Sequence, residues 1–584
     1  MNLVTFNIDD ELLSGHYQKI IKKKKNILFN HTYQQNKFFQ NESKYEVANP
    51  FNYNNDLKIS KKLKYIDKTY NSLLINLSKK LNIAHNKNFE KKYWEIIIGK
   101  WLKTFVYQTY INWETLDKIE KKYKIRSFSE IILDDRLFVP NNTWHAHILT
   151  KSGIHKFNLF HHWIISKMIS YKKKIKRNYL ELNKNLDLRK QIFKLDKPLQ
   201  YQNIFYKSMD NKIFYYLWDV PKIIKLKLMK QFKFIDIKIN EKNLKLSNSN
   251  YFNRNSLFIN ESKKKNFLSF LNSIIKHTFP KIFLEDFINL EIAYRKVKWP
   301  KKPKYIFTTY PYYDELFKFF CAESFRSGSK IIITQHGYDN IFKYDDWFVN
   351  KMFDTQLSWG GNKKRKLKNF IFTKIYQDKK KLYKFKKNNK ILLTLYSFNE
   401  MEDRLPDGYL DNFSINKNIF LLTKKYLNNL KKELLNKNEI KALQLTRYPI
   451  LENSIKKEFK KIKFMGLEKP FKNIIFNYNL SVHFFIGTPF FESMYLNRPT
   501  IVILEKKVHF RFDKKFNYFL KKFKENQICF DNPKDAANFI NKNYEFLEDW
   551  WNLPKIQKLI DEFCELFCKR SKNLNEELKN IIKS

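Results

Sequence analysis

At 584 residues the chain is longer than one hydrophobic core usually fills, about 250 to 300 residues, so at least two domains are expected. Its 43% hydrophobic and 17% aromatic content excludes an intrinsically disordered chain. The net charge of +54, from 112 Lys and Arg against 58 Asp and Glu, is spread along the chain in runs such as 22–25 and 263–265. It therefore reads as solvated lysine-rich faces, with a nucleic-acid surface and attraction to anionic lipid as the functional alternatives.

The opening stretch, MNLVTFNIDDELLSG, carries three acidic residues where a secretory signal needs basic ones, and no window approaches 18 uninterrupted apolar residues. The expectation is a soluble cytoplasmic protein, with peripheral contact at the inner membrane as the charge-driven variant. The four cysteines, Cys321, Cys529, Cys564 and Cys568, form no zinc or disulfide pattern. Cys564 and Cys568 fall on one face of an expected helix, as packing residues.

In chain order, residues 85–180 read as mainly helical from apolar spacing of three and four, as in KYWEIIIGKWLKTFVYQTYINW (92–113), with a loop at VPNNTWH where Pro140 and Asn141 interrupt it. No repeat is visible. From residue 300, strands alternate with helices, the mark of a parallel sheet covered on both faces. KYIFTTY (304–310), KIIITQHG and DTQLSWGG read as strands, with the helix YYDELFKFFCAESFR between the first two and Gly328 at its stop. The basic connector KIYQDKKKLYKFKKNNK is the expected boundary, giving an N-terminal domain at 1–385 and a C-terminal one at 386–584.

After the connector, KILLTLYS (390–397), KALQLTRYP (441–449), KIKFMG (461–466), SVHFFIG and RPTIVILE read as strands. NIFLLTKKYLNNLKKELL, PFKNIIFNYNL and TPFFESMYL are the helices between them, a doubly wound pattern. The tail reads as helices, with Asn532 as cap and Pro533 in the first turn.

Ligands of an open α/β sheet bind beyond the carboxyl ends of its strands. Five such places stand out: 308–314, 335–338, 358–361, 446–449 and 487–492. The last is the most informative, because Gly487 allows a tight turn, Thr488 is expected to cap, and Pro489 suits a first helical position. A helix start there offers free N–H groups and positive dipole potential to a diphosphate, and Glu492 is placed for ribose or sugar hydroxyls. Arg447 suits phosphate, whereas Arg404 and Asp403 read equally well as a surface ion pair. His336, beside Gln335 and Gly337, suits a base or phosphate ligand. The pairs His145/His147 and His161/His162 lack companion ligands at metal-binding spacing, so no metal is expected.

The segments TTYPYYDELFKFFCAESFRSGSKIIITQHG, LSWGG, LTRYP and IGTPFFESMYLNRPTIVIL, together with WEIIIGKWL (94–102) and NNTWHAHIL (141–149), resemble a family of bacterial surface-carbohydrate transferases encoded among lipopolysaccharide and capsule genes. The QHG turn and the GT-x-x-x-E segment are similar to those of capsule polysaccharide transferases with two facing Rossmann-like domains, the glycosyltransferase-B fold. Residues 165–300 carry no part of this resemblance. The resemblance implies an α/β fold of two such domains, with a largely helical N-terminal elaboration and C-terminal helices. It implies transfer of a sugar from a nucleotide-activated donor to a hydroxyl of a lipopolysaccharide or capsule glycan, on a free or lipid-linked acceptor, without metal or other cofactor. The implied catalytic residues are His336, Gln335 and Asp314, and the implied donor-binding residues are Arg447, Gly487, Thr488, Pro489, Glu492, Ser397 and Arg404. Tyr338 and Asp339 depart from the glycines usual after QHG. A glycerol- or polyol-phosphate transferase on the same scaffold is the nearest rival, and a nucleic-acid-binding protein the more distant one.

Overall fold

The computed structural model describes residues 1–9, 11–29, 46–48, 56–150, 157–172, 175–188, 200–205, 213–215, 220–224, 226, 238–243, 254–258, 265–309, 311–337, 341, 352–360, 367–375, 377, 380–387, 389–395, 412–442, 455–466, 468–505, 511–570 and 573–583. Three parallel sheets organise these residues, and the α/β class expected from the sequence is the class observed.

Two strands of the first sheet fall within residues 85–180, which apolar spacing reads as mainly helical. Its strands are β1 (Asn2–Val4), β2 (Asn26–Phe29), β3 (Glu46–Ala48), β4 (Ser127–Ile131) and β5 (Lys176–Leu180), in the order β3-β2-β1-β4-β5, all parallel. Helices α1 (Gly15–Lys22), α2 (Asp56–His85), α3 (Lys91–Lys122), α4 (Thr143–Thr150) and α5 (Leu159–Lys172) connect or cover these strands. The turn between α2 and α3 is built by asparagines. Asn86 adopts the left-handed conformation (φ 50°) that asparagine tolerates. The Asn82 side chain meanwhile bonds the backbone of Phe89 at both ends and accepts Trp94 Nε1 at 2.8 Å. From Tyr93 to Asn112 nearly every residue of α3 is buried, polar ones such as Lys103, Gln108 and Asn112 included, because the helix packs against α2, α4 and α5.

Strands β6 (Gln200–Phe205) and β8 (Lys238–Asn243) form an antiparallel pair, and β7 (Ile213–Tyr215) joins the second sheet. That sheet continues with β9 (Tyr305–Thr308), β10 (Lys330–Thr334), β11 (Thr355–Ser358) and β12 (Leu367–Asn369), in the order β12-β11-β10-β9-β7 and wholly parallel. Helix α6 (Glu315–Arg326) links β9 to β10 and packs against α3.

The third sheet comprises β13 (Lys390–Leu395), β14 (Asn438–Ala442), β15 (Lys463–Met465), β16 (Tyr478–His483), β17 (Thr500–Ile503) and β18 (Cys529–Phe530). Its order is β15-β14-β13-β16-β17-β18, again all parallel. Counted from β13, that is the 3-2-1-4-5-6 order of a dinucleotide-binding sheet, with its reversal between β13 and β16. Strand β14 starts at Asn438, three residues before the expected start. Helices α7 (Asn412–Asn428), α8 (Thr488–Tyr495), α9 (Lys514–Glu525), α10 (Pro533–Asn543) and α11 (Pro554–Phe567) complete this part. As the tail predicts, Asn532 caps α10 by accepting Lys534 N, and Pro533 occupies its first turn. Cys564 and Cys568 are buried in the third sheet's core.

The chain then turns back to the second sheet. Helix α12 (Leu574–Lys583) packs Leu574 and Ile581 among Tyr305, Phe307, Ile332, Leu357, Phe370 and Ile371. Just before it, Lys569 N donates to Trp359 O and Phe372 N donates to Lys569 O at 2.9 Å. Gly360 makes this approach possible, since it has φ 132° and a Cβ there would stand 1.9 Å from Leu566 O.

Candidate active site

The reversal between β13 and β16 opens a crevice beyond their carboxyl ends, where ligands of doubly wound sheets bind. On the β16 side the chain runs from His483 through Phe484–Ile486 to Gly487 and into α8. The sequence reading placed Thr488 as the cap. Instead Gly487 is the N-cap, with extended backbone (φ −128°, ψ −175°) and no side-chain cap, so Thr488 is the first helical residue and Pro489 the second. The Thr488 hydroxyl is thus not engaged in N-capping, and proline's missing N–H falls among groups that lack an intrahelical partner anyway. Glu492 sits in the second turn and is buried at 7% exposure, so it is neither a solvated first-turn acid nor an open ligand for ribose hydroxyls.

A hydroxyl network the sequence reading missed lies beneath this turn. His483 Nδ1 is 2.9 Å from Thr394 Oγ1, and its Nε2 is 3.1 Å from Ser481 Oγ. Ser481 reaches Ser493 of α8 and Thr500 of β17 at 3.1 and 3.2 Å. Burial holds the His483 imidazole neutral by pulling its pKa down to about 3. The network therefore ties β13, β16, β17 and α8 together directly under the crevice.

In the second sheet, β10 is followed directly by Gln335 and His336. Gln335 is buried, and its side chain serves as a brace. Oε1 accepts Trp359 N at 2.9 Å and Ser358 Oγ at 3.2 Å, while Nε2 donates to Gly337 O. Asp314 likewise serves a backbone, capping α6 by accepting Phe317 N at 2.9 Å. These bonds fix how both residues, expected as catalytic from the resemblance, are held at the ends of β9 and β10.

His336 is exposed and meets Lys374, whose Nζ lies 2.9 Å from His336 Nδ1. A lysine ammonium can only donate, so Nδ1 accepts and the ring proton of the neutral imidazole resides on Nε2. The carbonyl of Lys374 in turn accepts Lys472 Nζ at 2.9 Å. Lys374 belongs to the connector between the second and third sheets, and Lys472 to the short helical turn before β16. Three chain segments are thus linked in series, His336 to the Lys374 ammonium and the Lys374 carbonyl to the Lys472 ammonium. Nothing in the sequence singled out either lysine among so many. Arg447, Ser397, Arg404 and Asp403, with Tyr338 and Asp339, lie outside the described residues.

The four histidines weighed as metal ligands have other partners. His162 takes Ile131 N on Nε2 at 3.0 Å and meets Thr5 Oγ1 with Nδ1 at 2.8 Å, pinning the ends of β4 and β1. His161 bridges Asn112 and Thr150 O, and His145 Nδ1 accepts Asn141 N. Burial lowers the pKa of His145 and His161 to about 4 and of His162 to about 3. His147 Nδ1 lies 3.2 Å from the Tyr313 hydroxyl. Among the described residues no group of three or more His, Cys, Asp or Glu could hold a metal ion. No helix of the described residues is long and apolar enough to cross a membrane.

A family model described as "LIC12162 family transferase" matches residues 11–582. The chain belongs to the LIC12162 family of transferases. No curated protein matches it. Solved structures similar to it include a mutant of S. aureus TarM in complex with Fondaparinux, alpha-GlcNAc-glycerol and UDP, at 13% identity and TM-score 0.31, covering 48% of this chain and 55% of that one. The chain thus spans about half the length of that enzyme. A second is the spinosyn rhamnosyltransferase SpnG with spinosyn aglycone, at 10% identity and TM-score 0.29, over 51% of this chain and 77% of that one. A third is an O-GlcNAc transferase mutant of Thermobaculum terrenum, at 7% identity and TM-score 0.32, over 89% and 97%.

Proposed function

We propose that this LIC12162-family transferase is a glycosyltransferase that moves a sugar from a nucleotide-activated donor to a hydroxyl of a cell-surface glycan. The observation that carries the reading is the strand order of the third sheet, which places the Gly487–Thr488 helix start at the reversal between β13 and β16. There the backbone N–H of Thr488 and the positive dipole end of α8 face a leaving diphosphate, while Pro489 has no N–H and Phe490 N donates to Gly487 O. Lys374 and Lys472 add positive charge, and the Nε2–H of His336 donates to a phosphate oxygen. Lys374 thereby favours the phosphate-ligand role for His336 over the base. Neutralisation by dipole and lysines lets the reaction proceed without a metal.

In this reading residues 1–385 form the acceptor-side domain and 386–584 the donor-side domain. A lipopolysaccharide or capsule acceptor is the expectation from the resemblance, and contact with anionic inner-membrane lipid follows from the +54 charge.

The test is a thermal-shift screen of the full chain with UDP-, GDP-, CDP- and dTDP-sugars. A ligand at 100 times its Kd stabilises the folded state by roughly 2.7 kcal/mol. One nucleotide sugar should raise Tm, and Lys374→Met and His336→Ala should each reduce that shift. A chain stabilised by CDP-glycerol alone would be a polyol-phosphate transferase, and one stabilised by no nucleotide conjugate would not be a transferase of this kind.

A further inference from the structure

Helices α9 and α11 lie side by side and antiparallel on the core of the third sheet. Their buried rings show the direction: Phe516 meets Phe567 at 5.4 Å between centroids, and Phe523, two turns on, meets Phe563 at 5.2 Å. Outside these rings the two helices leave an open groove of about 650 Å³, with buried Phe519 as its floor and Tyr518 and Leu566 along its sides. Tyr518 is 54% exposed and Leu566 37%, so apolar surface faces water there. The rims of the groove carry opposite charge. Lys514 and Lys515 line the α9 side and Glu562 and Glu565 the α11 side, all four exposed. Among the described residues none of these four forms an ion pair. Lys522, further along α9, pairs within its own helix, with Glu525 at 3.0 Å, and reaches Glu562 only as a weaker charge interaction.

Two rows of opposite charge on either side of an apolar strip specify what can cover it. The occupant must set acid against the lysines, base against the glutamates and an apolar strip between them. A second copy of this chain meets that condition in one orientation. A two-fold axis running along the groove lays each α9 over the α11 of the other copy, so that lysine rim meets glutamate rim twice and Tyr518 meets Leu566. An axis running across the groove would instead set α9 on α9, lysine against lysine. We infer that the chain forms a two-fold dimer through α9 and α11, a four-helix contact with its axis along the groove. Helices of 12 and 14 residues are about 18 and 21 Å long, which places the contact at the small end of specific interfaces and makes the dimer reversible. The inference is independent of the transferase reading.

The experiment is sedimentation velocity on the full chain over a concentration series. Wild type should pass from monomer to dimer as concentration rises, and added salt should shift it back towards monomer. Lys515→Glu and Glu565→Lys should each raise the dimer Kd tenfold or more, with Tm unchanged because both side chains are exposed. An equimolar mixture of the two variants should dimerise again, since one copy then carries acid at both positions and the other base at both. An effect confined to one chain would give no such rescue. Wild type that stays monomeric throughout, single variants that dimerise as wild type does, or a mixture that stays monomeric would each overturn the inference.

Discussion

Buried histidines are where single residues most affect this molecule. His145, His161, His162 and His483 have folded pKa values of about 4, 4, 3 and 3, below the ordinary 6.5, because burial disfavours the imidazolium. The unfolded chain therefore binds more protons below pH 6.5. The stability these groups allow is complete above that pH and is lost as pH falls towards 4 and 3, by about 1.4 kcal/mol per pH unit for each group. Urea midpoints should fall between pH 7 and 4.5, and a His483→Gln variant that folds should show a shallower fall. Its stability at pH 7 should itself drop by about 1 to 3 kcal/mol, since the Thr394 and Ser481 hydroxyls lose a buried partner. Equal pH slopes for the two proteins would refute this account of His483. The same physics separates His162 from a metal ligand, because both its ring nitrogens are spent on the ends of two strands.

At the scale of elements, one buried ion pair joins three segments. Glu315 and Lys318, both 1% exposed, stand 2.7 Å apart at the start of α6. Glu315 Oε1 also accepts Thr143 N from α4 at 2.8 Å, while Lys318 Nζ donates to Thr143 Oγ1 and to Ile97 O of α3. Lys318→Met should destabilise the fold by about 3 to 5 kcal/mol, because it leaves a carboxylate buried and unpaired. Adding Glu315→Leu should restore part of the loss, and a double-mutant cycle in urea would measure the coupling. The segments WEIIIGKWL, NNTWHAHIL and YYDELFK thus share a structural meeting point that no one of them discloses alone.

Most strands of the second and third sheets were legible because runs such as KIIIT and TIVI are apolar on both faces and alternate with helices, whereas the two- and three-residue edge strands β7, β12 and β18 were not. The first sheet was not, because strands as short as NLV and EVA pair across long intervals, Asn2 with Ser127 among them. In the site, Gly-Thr-Pro after a buried strand announced the α8 start, although the cap falls on Gly487. Lys374 and Lys472 gave no local signal, since the contact of Lys374 with His336, and of Lys472 with the Lys374 carbonyl, is set by how the connector passes the end of β10.

Among the described residues the chain passes from the second sheet to the third through the connector before β13 and comes back to the second through Lys569 and α12. Gly360→Ala tests the return. The φ of 132° alone should cost about 1 to 3 kcal/mol, and the contact with Leu566 O adds to it. Tm should fall, and α12 should become the first part of the protein cut by a protease; an unchanged Tm would mean that the approach of α11 to Gly360 is not needed. The return also sets an order of assembly. During synthesis the apolar face made by Tyr305, Phe307, Ile332 and Leu357 emerges first, but Leu574 and Ile581, which cover it, follow only after the entire third sheet. Until then that face is open to other chains, so the nascent protein passes through a window in which a chaperone or a neighbouring ribosome's product competes with its own last helix.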